Sequence, residues 1–147
     1  MLKKLLFKYI FIFAFIFTNQ AVFAEELIDL TSAELSKLQE NALVIDIRTP
    51  PEWKNTGIIP GSQPLRFFND DGGYDLDAWL AEVKKLQKSP DQAIILICRS
   101  GYRSGRVGNL LVHKLKYSDV SHLSKGIYSW IQENHPTAKV CTATKTC

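Results

Sequence analysis

The sequence has no surplus of charge of either sign once its first segment is set aside. The 147 residues include 18 lysines and arginines against 15 acidic residues. Residues 1–24 hold three of the lysines and no acidic residue, so the 15 basic residues that remain balance the 15 acidic ones. Proteins that bind nucleic acids usually carry a cluster of basic residues. We therefore expect no nucleic-acid partner.

The sequence also lacks an apolar run long enough to span a membrane. Its longest run, residues 5–17, is interrupted by Lys8 and is shorter than the ~20 residues that a spanning helix needs. A basic start, an apolar segment and small residues before Glu25 are typical of a secretory signal peptide. An uncleaved membrane anchor is the alternative. We expect residues 1–24 to be a signal peptide cleaved between Ala24 and Glu25. The membrane contact is then transient, and the product is periplasmic or secreted.

Cysteine is scarce, and no Cys-x-x-Cys pair is present. Cys141 and Cys147 lie in a polar tail, residues 137–147, and an oxidising compartment would allow them to form a disulfide. Cys98 would then be left as the odd thiol, at the end of an apolar run in the middle of the chain.

Recognisable metal and cofactor motifs are absent as well. The three histidines, His113, His122 and His135, are too scattered for a metal site by their spacing, and we expect them at the surface or at helix ends. Gly101, Gly105 and Gly108 do not have the spacing of a dinucleotide-binding fingerprint. The sequence therefore predicts no metal and no cofactor.

Residues 25–136 alternate short apolar segments with amphipathic ones, which predicts a single α/β domain. Strands are expected at residues 27–30, 42–47, 63–67, 93–97 and 120–123. Helices are expected at about residues 31–39, 50–53, 75–87, 103–116 and 126–133. Such alternation favours a mainly parallel sheet of about five strands, with helices on both faces.

The segment after the fourth predicted strand has the residues of an anion site. In an open parallel sheet, ligands bind beyond the carboxyl ends of the strands. Backbone N–H groups in a tight loop, together with the start of the following helix, would surround the sulfur of Cys98 and favour its thiolate. The loop runs through Cys98, Arg99, Ser100, Gly101, Tyr102, Arg103 and Ser104. A buried structural cysteine is the plainer alternative, but these loop residues are poor core formers.

The loop resembles the active loop of the rhodanese family, which has Cys, two residues, Gly, one residue, Arg, then Ser or Thr. Cys98, Gly101, Arg103 and Ser104 match that pattern. Two weaker family elements follow the family's order: Asp46, Arg48, Glu52 and Trp53, and then Gly126 and Trp130. The resemblance covers about residues 27–133. It departs from the family at Ile58, where a histidine is usual, and at Lys125, where a second glycine is usual.

The resemblance implies a three-layer rhodanese-like fold and a sulfurtransferase that works in two steps. Cys98 would take sulfur from a donor such as thiosulfate, forming a persulfide, and pass it to cyanide or a thiol. The loop from Arg99 to Ser104 would hold the persulfide, and Arg103 would attract the anionic donor. Asp46 and Arg48 would support the loops by ion pairing or contribute to function.

Three other functions remain open at this stage. Cysteine phosphatases place five residues between Cys and Arg, whereas four separate Cys98 from Arg103, and the shorter loop suits a single sulfur better than a phosphoryl group. A thiol-redox protein or persulfide carrier would exchange disulfides between Cys98 and Cys141 or Cys147. A non-catalytic binding module would keep the fold without the chemistry.

Overall fold

A computed structural model describes residues 26–140, which form one central sheet with helices around it. The strands are β1 (Ile28–Leu30), β2 (Leu43–Asp46), β3 (Gln63–Pro64), β4 (Ile94–Ile97) and β5 (Val120–Leu123). The helices are α1 (Ser32–Leu38), α2 (Pro50–Thr56), α3 (Leu76–Leu86), α4 (Tyr102–Asn109) and α5 (Gly126–Gln132). A π-helical segment, Leu110–Lys114, continues α4. The predicted signal peptide, residues 1–24, lies outside the described residues, as do Cys141 and Cys147.

All five strands pair in parallel, in the order β1-β5-β4-β2-β3. The prediction of an α/β fold with a mainly parallel sheet of about five strands is confirmed. Strand β4 therefore lies at the centre of the sheet, between β5 and β2, and its last residue is followed directly by Cys98. Among residues 26–140, no helix is both long and apolar enough to cross a membrane.

Alternate residues of the central strands face two separate apolar layers. One layer packs Leu43, Ile45, Ile94 and Leu96 against Trp79 and Val83 of α3 and Val107 of α4. The other packs Val44, Ile95 and Ile97 against Leu35 of α1 and Ile127 and Trp130 of α5. Because neighbouring strand residues point to opposite faces, a buried strand with helices on both sides is apolar throughout. The prediction of helices on both faces is confirmed.

Most elements begin or end a residue or more away from their predicted limits, and two of these differences concern β3 and α4. Strand β3 ends at Pro64 rather than at Phe67, although the amides of Leu65 and Phe67 still donate to the carbonyls of Asp46 and Ile47. The helix expected at residues 103–116 begins one residue earlier and changes from α to π after Asn109. These shifts do not move the loop that follows β4.

The beginning of the predicted polar tail lies against the domain. Ala138 exchanges backbone hydrogen bonds of 2.8 and 2.9 Å with Ile58. The indole Nε1 of Trp130 donates to the carbonyl of Pro136 over 2.7 Å. Residues 136–138 therefore connect the end of α5 to the segment between α2 and β3.

Candidate active site

Cys98 lies at the carboxyl end of the central strand, with its sulfur inside a small ring of hydrogen-bond donors. The residue is 1% exposed. Its Sγ accepts a hydrogen bond from the amide of Gly101 over 3.1 Å and another from the hydroxyl of Ser104 over 3.3 Å. Both donors face the sulfur from the first turn of α4, where the helix dipole also favours negative charge. The site is therefore arranged to stabilise an anionic sulfur.

Gly101 is the residue that turns the loop back toward the sulfur. It caps α4 with φ +91° and ψ −25°, a left-handed conformation that glycine adopts without strain. A Cβ at this position would overlap the carbonyl oxygen of Ser124. The loop geometry thus depends on the absence of a side chain here.

The loop rests on the start of α5. Gly126 has φ +62°, and a Cβ there would overlap the backbone of Arg99 and Ser100. The amides of Ile127 and Tyr128 donate to the carbonyls of Cys98 and Arg99 over 2.9 and 3.2 Å. The start of α5 therefore holds the backbone of the reactive loop in place.

Arg103 forms a two-pronged ion pair with Glu52 of α2. One of its hydrogen bonds to the carboxylate measures 3.0 Å, and Thr49 donates to the same carboxylate from its amide and its hydroxyl. Partial burial would raise the pKa of Glu52, but the hydrogen bonds from Arg103 and Thr49 outweigh it and lower the pKa to about 2. The same pairing raises the pKa of Arg103. The ion pair therefore links the loop to α2.

A substitution at Glu52 should show this pairing in its pH dependence. The folded pKa lies below the ordinary value, so the pair contributes fully to stability above pH 4.5 and loses its contribution as the pH falls toward about 2. We expect wild type to have a larger free energy of unfolding than Glu52→Gln at neutral pH. This difference should shrink as the pH falls from 4.5 to about 2. Urea unfolding at a series of pH values measures it. A difference that does not change across the window would contradict the assignment.

Asp46 and Arg48 form a second ion pair, which is buried below the loop. Their side chains are 0% and 1% exposed, and Arg48 Nη2 lies 2.6 Å from Asp46 Oδ2. Arg48 also donates to the hydroxyl of Thr56 and the carbonyl of Gly57 over 2.7 and 2.8 Å. The pair joins the carboxyl end of β2 to the end of α2. Neither side chain is hydrogen-bonded to the sulfur of Cys98, whose donors are Gly101 and Ser104.

The remaining loop residues face solvent. Arg99 lies 5.3 Å from the centre of the Tyr128 ring, and its Nη2 donates to the Tyr128 hydroxyl over 3.4 Å. Ser100 is exposed, and Tyr102 is 71% exposed. A cleft of about 420 Å³ beside the loop is bordered by Arg48, Glu52, Arg99 and Tyr128, among others. It adjoins the loop at Arg99, and Cys98 is not among the residues that line it.

The structure corrects the expectation for His122, which was that it lies at the surface or at a helix end. His122 is 6% exposed and lies within β5. Its Nδ1 lies 3.1 Å from the hydroxyl of Ser104, the same hydroxyl that contacts Cys98. Its place within the strand predicted at residues 120–123 was the available signal. Of the other two histidines, His113 is exposed, and His135 stacks on Trp130.

Within residues 26–140, no three His, Cys, Asp or Glu side chains lie together in a way that could hold a metal ion. Cys98 is the free cysteine of this part of the chain. The disulfide that an oxidising compartment would allow between Cys141 and Cys147 falls on residues outside it.

Comparison with known proteins gives a family match and several similar folds. The family model described as "Rhodanese-like domain" matches residues 31–133. A curated relative, the uncharacterized protein RP600 of Rickettsia prowazekii (strain Madrid E), is 28% identical over 107 residues, which make up 67% of this chain and 85% of the relative.

Two solved structures illustrate the shared fold. The polysulfide-sulfur transferase homodimer of Wolinella succinogenes is 15% identical with a TM-score of 0.57, over 81% of this chain and 83% of that one. The protein RPA3614 of Rhodopseudomonas palustris, described as a possible tyrosine phosphatase, is 20% identical with a TM-score of 0.56, over 76% and 85%. At these identities the likeness concerns the fold alone.

Proposed function

The chain belongs to the rhodanese-like domain family, and from this premise we propose that it transfers sulfur through a persulfide on Cys98. The family supports a sulfurtransferase-type enzyme in general terms. The observation that carries the specific proposal is the pair of donors, the Gly101 amide and the Ser104 hydroxyl, directed at the Cys98 sulfur.

In the first step, the Cys98 thiolate attacks the outer sulfur of a donor such as thiosulfate. A bond forms between the two sulfurs, the S–S bond of the donor breaks, and the bonding electron pair leaves with sulfite. The outer sulfur of the resulting persulfide carries the negative charge. The amide of Gly101 and the hydroxyl of Ser104 contact Cys98 Sγ, so they stabilise the attacking thiolate, and we expect the loop from Arg99 to Ser104 to hold the outer sulfur.

In the second step, a nucleophilic acceptor removes the outer sulfur and regenerates the thiolate. Cyanide would leave as thiocyanate, and a thiol would leave as a perthiol that keeps its proton. The exposed guanidinium of Arg99, at the edge of the cleft, is placed to meet anionic donors. Arg103 is paired with Glu52, so we assign it mainly to holding the loop, with donor attraction as a secondary role.

The alternative is phosphatase activity, which the description of RPA3614 as a possible tyrosine phosphatase suggests. The four residues between Cys98 and Arg103 favour sulfur, since a phosphoryl group with its three oxygens needs a wider loop. Parallel assays of thiosulfate-to-cyanide transfer and of aryl-phosphate hydrolysis test the choice. We expect sulfur transfer that exceeds any phosphate release by at least about a hundredfold in rate. Phosphate release without sulfur transfer would refute the proposal.

We also propose that the protein acts outside the cytoplasm, after removal of residues 1–24. The support is the basic and then apolar start of the sequence and the small residues before Glu25. In that setting Cys141 and Cys147 could be oxidised to each other. Sequencing the amino terminus of the mature protein tests the site of cleavage, with Glu25 as the expected first residue.

A further inference from the structure

A continuous chain of hydrogen bonds runs from the reactive sulfur to the surface of the domain. Ser104 Oγ lies 3.3 Å from Cys98 Sγ and 3.1 Å from His122 Nδ1. His122 Nε2 lies 2.7 Å from Asp29 Oδ1. The side chains of Ser104, His122 and Asp29 come from α4, β5 and β1, so the fold brings together residues that are distant in sequence.

Exposure to solvent increases from Ser104 through His122 to Asp29. Ser104 is 0% exposed and His122 is 6% exposed. The Asp29 side chain is 72% exposed, and Asp29 pairs directly with His122 in the register of β1 and β5. Around the imidazole, α4 contributes Gly105, which has no side chain, and β4 contributes the apolar Leu96 at the paired position. Within the described residues, these hydrogen bonds join two ionisable groups to the imidazole: Asp29 directly and Cys98 through Ser104.

The donors and acceptors allow two arrangements of the protons. The Asp29 carboxylate only accepts, so the proton of His122 lies on Nε2 when the ring is neutral. Nδ1 is then an acceptor and takes the hydroxyl proton of Ser104. When the ring is protonated, Nδ1 donates to Ser104, and the hydroxyl proton is available to the sulfur, 3.3 Å away, or to the Gly101 carbonyl, 3.1 Å away. That carbonyl also accepts from the Gly105 amide over 2.8 Å, and its two lone pairs allow both hydrogen bonds.

We propose that Ser104, His122 and Asp29 form a proton relay that takes the proton of the Cys98 thiol and holds the thiolate. The S–H bond breaks as its proton passes to Ser104 Oγ, while the hydroxyl proton of Ser104 passes to His122 Nδ1. The products are a thiolate that accepts a hydrogen bond from Ser104 and an imidazolium paired with Asp29. No oxidant or additional reactant is required. Ser104 touches the reacting sulfur, whereas His122 and Asp29 are positioning residues that act through it.

This inference deepens the proposed function, because the relay supplies the nucleophile of the first step. Its test does not depend on any sulfur donor. In the full chain with Cys141→Ser and Cys147→Ser, the ultraviolet absorbance of the thiolate is measured against the matching Cys98→Ser protein. Ser104→Ala and His122→Gln should each lower the ratio of thiolate to thiol at neutral pH by about tenfold, since a hydrogen bond to a charged group is lost. Asp29→Asn should have a smaller effect, since its charge is largely exposed.

His113→Gln is the matched control, because it removes an exposed histidine from the same protein and should leave the ratio unchanged. If His122→Gln does not fold, Ser104→Ala decides, since it removes one oxygen atom without adding bulk. A wild-type thiolate ratio in a folded Ser104→Ala protein would overturn the relay. A lowered ratio of thiolate to thiol in Ser104→Ala would support the relay. If the wild-type protein also forms no persulfide on Cys98 with any donor, the proposed function is refuted. A wild-type ratio in Ser104→Ala, together with sulfur transfer by the wild-type protein, would refute the relay and support the proposed function.

Discussion

Replacing Cys98 with serine should reduce sulfur transfer by at least about a thousandfold, because a serine oxygen cannot form the persulfide that carries the transferred sulfur. The measurement is thiocyanate formation from thiosulfate and cyanide. The variant should fold, since serine is smaller than cysteine and its oxygen can accept the hydrogen bond from the Gly101 amide that the sulfur accepts now.

The matched control for this experiment is the double variant Cys141→Ser with Cys147→Ser, which should transfer sulfur at the wild-type rate. The two cysteines lie in the polar tail, beyond the family match that ends at residue 133. Transfer that survives in Cys98→Ser but is lost in the double variant would place the chemistry in the tail and contradict the assignment of Cys98.

Replacing Asp46 with alanine should have the largest effect on stability, lowering the free energy of unfolding by about 3–5 kcal/mol. The substitution leaves the guanidinium of Arg48 buried without its counter-charge, and Arg48 is 1% exposed. It also removes the acceptor for the hydrogen bonds from the Nε and Nη2 of Arg48, between 2.6 and 3.0 Å long. Urea unfolding followed by circular dichroism measures the loss.

A double variant separates the charge effect from simple loss of packing. Asp46→Leu combined with Arg48→Met removes both charges, so it should be clearly more stable than Asp46→Ala even though more atoms are changed. A double variant as unstable as the single one would show that the pair contributes through its hydrogen bonds to Thr56 and Gly57 rather than by neutralising a buried charge.

The features that follow from local sequence could be predicted. The capping box of Thr31 and Glu34 is visible in four consecutive residues, and the structure has it at the start of α1. Strand β4 was predictable because its four residues are apolar, as expected for a strand covered on both faces. The position of Cys98 follows, since a residue after a central parallel strand lies at the ligand-binding edge of the sheet.

Contacts between distant segments could not be predicted in the same way. Arg103 pairs with Glu52, which is 51 positions away, and His122 bonds to Asp29, which is 93 positions away. Both contacts depend on the order of strands and on the side from which each helix approaches, and local patterns do not specify either. His122 also shows that a polar residue in a buried strand needs a hydrogen-bond partner. Applied to the strand predicted at residues 120–123, that rule predicts a buried, hydrogen-bonded histidine rather than one at the surface.

Under the proposed function, these contacts would hold a thiolate at a position that is almost fully buried. The backbone of the loop is held by α5, its arginine is held by α2, and its serine is bonded to a histidine in β5. Three elements therefore fix the donors around Cys98 before substrate arrives. Such preorganisation is the usual source of charge stabilisation in an active site.

The most direct test of the account is the mass of the Cys98 peptide after incubation of the full-length protein with thiosulfate. We expect a gain of one sulfur atom on Cys98, which cyanide removes with release of thiocyanate. An unmodified Cys98 peptide under conditions of active turnover, or a disulfide from Cys98 to Cys141 or Cys147 as its only modified form, would contradict it.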